Sequence, residues 1–259
     1  MLVNLHTHSI WCDGKDTPET IVKAAIRKGF GGLGFSSHAM LPADPLPWPL
    51  TAEKLPLYID EIFALKRKYS GEIEILCGVE ADFIPAACSP DRQVYPARLD
   101  YIIGSIHFVV APDGAWVEVD KSPESLFDGI AAHFGGDAKS FISAYFAAER
   151  TMVSSFDFDI VAHPDLVRKF NAKHPWFDES APWYAEELEC TADAFAESGK
   201  TVEINTGAIS RGWLDDAYPD ERFIRLLKER GVKLVLSSDA HSANALDCAF
   251  PRFRHLVQQ

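Results

Sequence analysis

Positive charge is what this chain has least of relative to need: 25 lysines and arginines stand against 38 aspartates and glutamates, a formal net charge of −13. An acidic surface repels a polyphosphate backbone, whose capture depends on cationic side chains releasing counterions, so long nucleic acid is excluded as a partner. A small anion held by a local cationic site is not. Cysteine is sparse too, and its five copies, Cys12, Cys77, Cys88, Cys190 and Cys248, contain no C-x-x-C pair. An odd count without that spacing excludes a disulfide framework and a zinc knuckle and fits a reducing cytosol. No run of about 18 apolar residues occurs, and the start Met1-Leu2-Val3-Asn4 lacks a basic region followed by an apolar core. A cytoplasmic, uncleaved protein without a membrane partner is therefore expected. Internal repeats and low-complexity linkers are also missing, so residues 1–259 read as one domain. That length suits a single α/β barrel, which runs to about 250 residues.

What is present is an alternation of apolar runs and helix-like runs, the β-α rhythm of a parallel sheet. The expected strands are Leu2 to Thr7, Gly32 to Ser36, Ile73 to Val79, Tyr101 to Ile106, Asp159 to Ala162, Thr201 to Asn205 and Val232 to Leu236. Thr17 with Pro18 starts a helix that Gly29 stops, and further helices fall at 51–69, 122–151 (two), 179–198 and 220–231. Residues 42–49 hold four prolines and read as a loop. The stretch from Phe108 to Val119, with Asp113-Gly114 at its centre, reads as a hairpin. The fold class expected is α/β, a distorted seven-stranded (β/α)7 barrel.

Histidine placement gives this pattern its chemistry. In Asn4-Leu5-His6-Thr7-His8-Ser9, period-two alternation turns His6 and His8 to one face and Val3, Leu5 and Thr7 to the other. His38, Glu80, His107, His163, Asp239 and His241 likewise stand where an apolar run stops, and a closed parallel barrel gathers such ends on one face. His133, His174 and His255 scatter and read as surface or packing residues. Taken singly, each has an ordinary role: Glu80 a solvated carboxylate, Asp239 a helix cap, Asp13 part of an Asp-Gly turn. Together, buried imidazoles and carboxylates without a cation would be expensive.

The motifs HTHS with CDG, SSHA, GVEADF, GSIHF, AHPD and SSDAH, in that order, resemble the polymerase-and-histidinol-phosphatase (PHP) family of metal-dependent phosphoesterases, from residue 3 to about residue 250. EINTGAISRGW and the GSIHF hairpin resemble its histidinol-phosphatase branch. The resemblance implies a PHP-fold barrel with two or three divalent ions. His6, His8, Glu80 and Asp239 would hold one ion, Glu80 would bridge to a second held with His107 and His163, and Asp13, His38 and His241 would hold the third. Asp13 is a departure, since many relatives carry a histidine one residue further on. Imidazole-rich ligation favours zinc, iron or manganese over magnesium or calcium.

The expected activity is hydrolysis of a small phosphorylated substrate by water activated between two ions, with L-histidinol phosphate, an intermediate of histidine biosynthesis, as that substrate. Three divalent ions against three carboxylates leave about +3, which a hydroxide and a phosphomonoester dianion cancel, favouring a monoester over a diester. Arg211 is the expected phosphate clamp, because a guanidinium fork matches phosphate geometry. One of Arg168 and Lys169 would assist, and Asp165 or Asp239 would protonate the leaving oxygen. Trp11, the 42–49 loop, Glu118 and Asp120 would meet the rest of the substrate. A phosphoesterase acting on nucleotides or short oligonucleotides is the alternative within this chemistry; a non-catalytic metal-binding module is the alternative outside it.

Overall fold

The computed structural model describes residues 1–42 and 48–257. Seven strands form one parallel sheet, each beside the next in chain order: β1 (Leu2–Asn4), β2 (Phe30–His38), β3 (Glu74–Asp82), β4 (Tyr101–Ser105), β7 (Ile160–Val161), β8 (Thr201–Asn205) and β9 (Leu234–Ser237). The sheet curls until its first and last strands meet. Thr7 bridges Ala240 in parallel, and the amide of His8 donates to the carbonyl of Ala240 at 2.9 Å. The result is the nearly closed barrel expected. Between β4 and β7 the chain makes the antiparallel hairpin β5 (Phe108–Val110) and β6 (Trp116–Glu118).

The helices α1 (Pro18–Arg27), α2 (Lys54–Lys68), α3 (Pro123–His133), α4 (Ala138–Ser155), α5 (Pro182–Ser198), α6 (Gly207–Ser210), α7 (Glu221–Glu229) and α8 (Phe250–Phe253) alternate with the strands. Their starts are written locally. Thr17, Ser122, Asp137 and Asp220 each accept a hydrogen bond from an amide of the first turn, satisfying donors that the helix itself cannot. The inward stripe of α1, Ile21, Val22, Ala24 and Ala25, is buried, and full burial of a side chain such as Ile21 contributes about 1.5–3 kcal/mol.

Among the described residues three apolar regions result, a small one of Leu41, Ile84 and Phe108 under the hairpin and two others. Of those two, the larger fills the space between strands and helices; the smaller, Tyr101, Ile103, Ile160 and Ala162 with Leu5, Leu76 and Val235, fills the barrel interior. Tyr101 spans that interior, and its hydroxyl donates to the carbonyls of Leu5 at 2.5 Å and Phe35 at 3.0 Å. Gly78 makes room for it, because a Cβ there would lie 2.5 Å from the tyrosine ring. The interior core closes the bottom of the barrel and leaves polar residues to occupy the other end.

Several bounds differ from expectation. β1 stops at Asn4 rather than Thr7, because the Asn4 side chain takes over the ladder: its oxygen accepts from the His6 amide at 3.2 Å and its nitrogen donates to Ser238 Oγ at 2.7 Å. β2 and β3 run longer, pairing His38 with Glu80 and continuing to Asp82, so those ligand candidates lie within strands. β7 shrinks to two residues. The expected loop at 42–49 lies outside the described residues for 43–47.

Candidate metal centre

His6, His8, Asp13, His38, Glu80, His107, His163, Asp239 and His241 converge at the carboxyl end of the barrel. Three groups have donor atoms all within 4.8 Å of one another: His8, Asp13, His38 and His241; His6, His8 and Glu80; and His38, Glu80 and His107. Glu80, 1% exposed, is the hub. Its Oε2 lies 3.1 Å from His6 Nε2, 3.1 Å from His38 Nδ1 and 3.5 Å from His8 Nε2. Its Oε1 lies 3.0 Å from His163 Nε2 and 3.4 Å from His107 Nε2. Asp239 Oδ1 is 3.1 Å from His8 Nε2, and Asp13 Oδ2 is 2.9 Å from His241 Nε2.

These separations are those of donors aimed at shared points. Four-coordinate ions with bonds of about 2.0–2.1 Å hold their donors about 3.3–3.4 Å apart. His6 Nε2, His8 Nε2, His38 Nδ1 and Glu80 Oε2 are buried without a hydrogen-bond partner, although they lie at hydrogen-bond distance from one another. Misaligned close donors of this kind fit divalent cations.

Atoms behind the cluster hold the rings from the back. His6 Nδ1 donates to Glu203, His107 Nδ1 to Asp82 Oδ1 at 3.0 Å, and His8 Nδ1 lies 3.4 Å from Cys12 Sγ. Backing of this sort leaves the opposite nitrogen free for an ion. Asp239 adopts φ +48°, a left-handed conformation that aspartate tolerates better than most residues and that turns its carboxylate inward.

The crowded acids and imidazoles shift one another's protonation. Burial opposes a charge on His6, but Glu203, Glu80 and Asp239 outweigh it and lift the imidazole to about 10. His107 is lifted well above its ordinary value against burial by Asp82 and Glu80. Burial, with His8 and His107 nearby, pushes His38 down to about 4. Glu80 is held well below the usual carboxylate range by His6, His38 and His107, despite a burial that works the other way. Ions entering such a cluster must displace protons.

The cluster floors a pocket of roughly 260 Å³ that Trp48, Glu118, Asp120, Lys121, Lys169 and Arg211 also line. That size admits a small molecule. Arg211, just past β8, donates through Nη2 to Asp239 Oδ2 at 2.7 Å and through Nη1 to the Asp239 carbonyl at 3.2 Å. Gly207 lets it in: a Cβ there would lie 2.6 Å from Arg211 Nη2 and 2.8 Å from Asp239 Oδ2.

Of the paired candidates Arg168 and Lys169, Lys169 lines the pocket, its Nζ donating to Asp120 Oδ2 at 3.0 Å and to the Asp120 carbonyl at 2.6 Å. Arg168 turns away to Asp165 and Glu179. Asp165 is fully buried behind the site, where burial against the pull of Arg168 raises it to about 7, and it does not line the pocket. Trp11 does not reach the pocket either; its indole donates to Glu61 on α2 at 2.6 Å. Trp48 stands at the mouth instead, edge-on to His38 at 4.8 Å.

Motif reasoning missed Glu203 and Asp82 and reached Trp48 only as part of the 42–49 loop. A signal existed for both missed acids. Glu203 is an acid inside an otherwise apolar strand, and Asp82 shares the face of Glu80 by period two.

A parallel barrel with clustered histidines and carboxylates that could hold metal ions at its carboxyl end is the architecture of a metal-dependent hydrolase. The PHP domain model matches residues 4–207, and the chain belongs to the PHP domain family. A Deinococcus radiodurans protein named "Probable histidinol-phosphatase" is 31% identical over 255 residues, covering 96% of this chain and 90% of that protein. A solved structure from Listeria monocytogenes superposes with a TM-score of 0.86 at 20% identity, covering 97% of this chain and 100% of the other. The Lactococcus lactis histidinol phosphate phosphatase, solved with zinc, L-histidinol and phosphate, gives a TM-score of 0.75 at 24% identity, covering 98% and 92%. Among the described residues, no helix is long and apolar enough to cross a membrane.

Proposed function

We propose that this chain is a metal-dependent phosphatase that hydrolyses L-histidinol phosphate to L-histidinol and phosphate. The observation that carries the proposal is one small pocket lined by Arg211, Lys169 and seven of the nine ligand-type side chains, with His6 and His8 packed against Glu80 beneath it. The 31% identical relative's name supports the choice of substrate. In this reading His6, His8, Glu80 and Asp239 hold one ion, Glu80 with His107 and His163 a second, and Asp13, His38 and His241 a third. The ions are zinc, iron or manganese, and when bound they supply Lewis acidity and a lowered water pKa.

The chain's own residues do the rest. Arg211 and Lys169 neutralise the phosphate oxygens, Arg211 through a fork and Lys169 as a point charge steadied by Asp120. Neither expected acid serves the leaving oxygen: Asp165 does not line the pocket, and Asp239, which does, is held well below the usual carboxylate range, against burial, by Arg211 and His6 and has no proton to give. Glu118, 3.9 Å from Lys121 Nζ, is the acid more open to the substrate's ammonium, since Asp120 accepts from Lys169 at 3.0 Å. Its carboxyl is raised above the ordinary range by burial and by Asp120. Lining the pocket beside a cation, it gains an ion pair that a neutral substrate does not offer.

Phosphate release from L-histidinol phosphate and from a mononucleotide, measured with the same metal-loaded protein, tests the proposal. A preference of at least about 100-fold for histidinol phosphate is expected, which is two steps of about 1.4 kcal/mol. Equal or reversed rates would make the protein a nucleotide phosphoesterase.

A further inference from the structure

Strand β8 contributes a carboxylate, Glu203, that is 1% exposed and does not line the pocket. Its hydrogen-bonding contacts are all donors. Oε1 accepts from His6 Nδ1 at 3.1 Å, from the His163 amide at 2.9 Å and from Asn205 Nδ2 at 2.6 Å. Oε2 accepts from His6 Nδ1 at 3.0 Å and from the Ser237 hydroxyl. An ionised carboxylate has about four acceptor positions, so these donors saturate it.

Saturation has a directional consequence. A carboxylate accepts only, so His6 Nδ1 carries a hydrogen, and a neutral His6 then presents its lone pair at Nε2. That nitrogen has no hydrogen-bond partner and lies 3.1 Å from Glu80 Oε2 and 3.7 Å from Asp239 Oδ1. The same acid grips the backbone of His163, whose Nε2 lies 3.0 Å from Glu80 Oε1. One buried group thereby sets a ring on one side of Glu80 and a strand end on the other. The group formed by His8, Asp13, His38 and His241 makes no hydrogen bond to it.

We propose that Glu203 is a positioning residue for the metal centre: it fixes the Nδ1–H tautomer of His6 and ties His6 to His163, so that the two ions sharing Glu80 bind as a coupled pair. The inference rests on the metal assignment proposed for those residues.

The test is a zinc titration of metal-stripped protein against a chromophoric chelator, comparing wild type with Glu203→Gln, alongside ¹H–¹⁵N NMR of the histidines in zinc-loaded wild type. The expected result is a 10–100-fold loss of affinity for the paired ions, the range seen when such outer partners are removed, with the third site changed less than about threefold. An unchanged variant overturns the inference, and so does equal weakening at every site, which marks a merely structural role. Should the variant fail to fold, the wild-type spectrum decides: His6 protonated at Nδ1 supports the proposal, and His6 protonated at Nε2 refutes it. A wild type that binds no zinc removes the metal-centre reading as well, which separates the two failures.

Discussion

Arg211→Ala removes the guanidinium that the phosphate is expected to meet. In the free protein that group makes one charge-assisted bond to Asp239 Oδ2 at 2.7 Å and a weaker one to the Asp239 carbonyl at 3.2 Å. The side chain is about a third exposed, so part of its charge is screened. What matters is therefore what it does when substrate displaces water. Removing a preorganised donor from a developing oxyanion costs about 10²–10³ in kcat, or about 2.7–4 kcal/mol. Metal content should hold, because Asp239 loses a competing cation rather than a supporting one: Arg211 is the chief attraction, against burial, that keeps its carboxyl well below the usual range. Arg211→Lys should recover part of the rate, keeping the charge without the fork. Steady-state phosphate release together with elemental analysis of the purified variants is the assay. Full activity in Arg211→Ala, or loss of metal with the rate, would refute the reasoning.

Three further outcomes are expected. Gly207→Ala puts a Cβ 2.6 Å from Arg211 Nη2, so kcat/KM should fall at least about tenfold, one 1.4 kcal/mol step, with little change in melting temperature; equal kinetics would show that the arginine shifts freely. Lys169→Ala, which deletes the cation held by Asp120, should lower kcat/KM about 10- to 100-fold, the worth of one charge-assisted hydrogen bond, and leave the metal content as in wild type. Glu149, buried beside the Tyr145 hydroxyl, is raised well above 4.5 by burial, so as pH rises past about 4.5 the unfolded chain loses that proton before the folded one and stability falls. Glu149→Gln should flatten that part of the melting-temperature profile between pH 4 and 8, and an unchanged slope would count against it.

Much of the fold is legible in the sequence because burial writes itself as periodicity. The alternation of apolar runs with capped helical stripes such as Thr17-Pro18 to Gly29 needs no tertiary information. The length of β1 does, since only Asn4 reaching Ser238, 234 positions away, shows why the ladder stops. The ligand-type residues at strand ends could be picked out for the same reason, by position relative to the apolar runs. The side on which Arg168 and Lys169 point could not: neighbours on a 3-10 turn differ by about 120° in direction, and nothing in the local pattern phases that short turn. Trp11 likewise belongs to Glu61, a partner 50 residues away that no motif links to it. Glu203 stands out in sequence as an acid between the buried Val202 and Ile204, but its partners His6, His163 and Ser237 lie 197, 40 and 34 positions away, which no local pattern shows.

Anomalous X-ray scattering at the zinc, iron and manganese edges, recorded from crystals of the protein as purified, tests the central claim most directly. The account predicts two or three peaks at the carboxyl end of the barrel, one of them ligated by His6, His8, Glu80 and Asp239 and a second sharing Glu80 with His107 and His163. No peak there, or ions ligated by other residues, would contradict it.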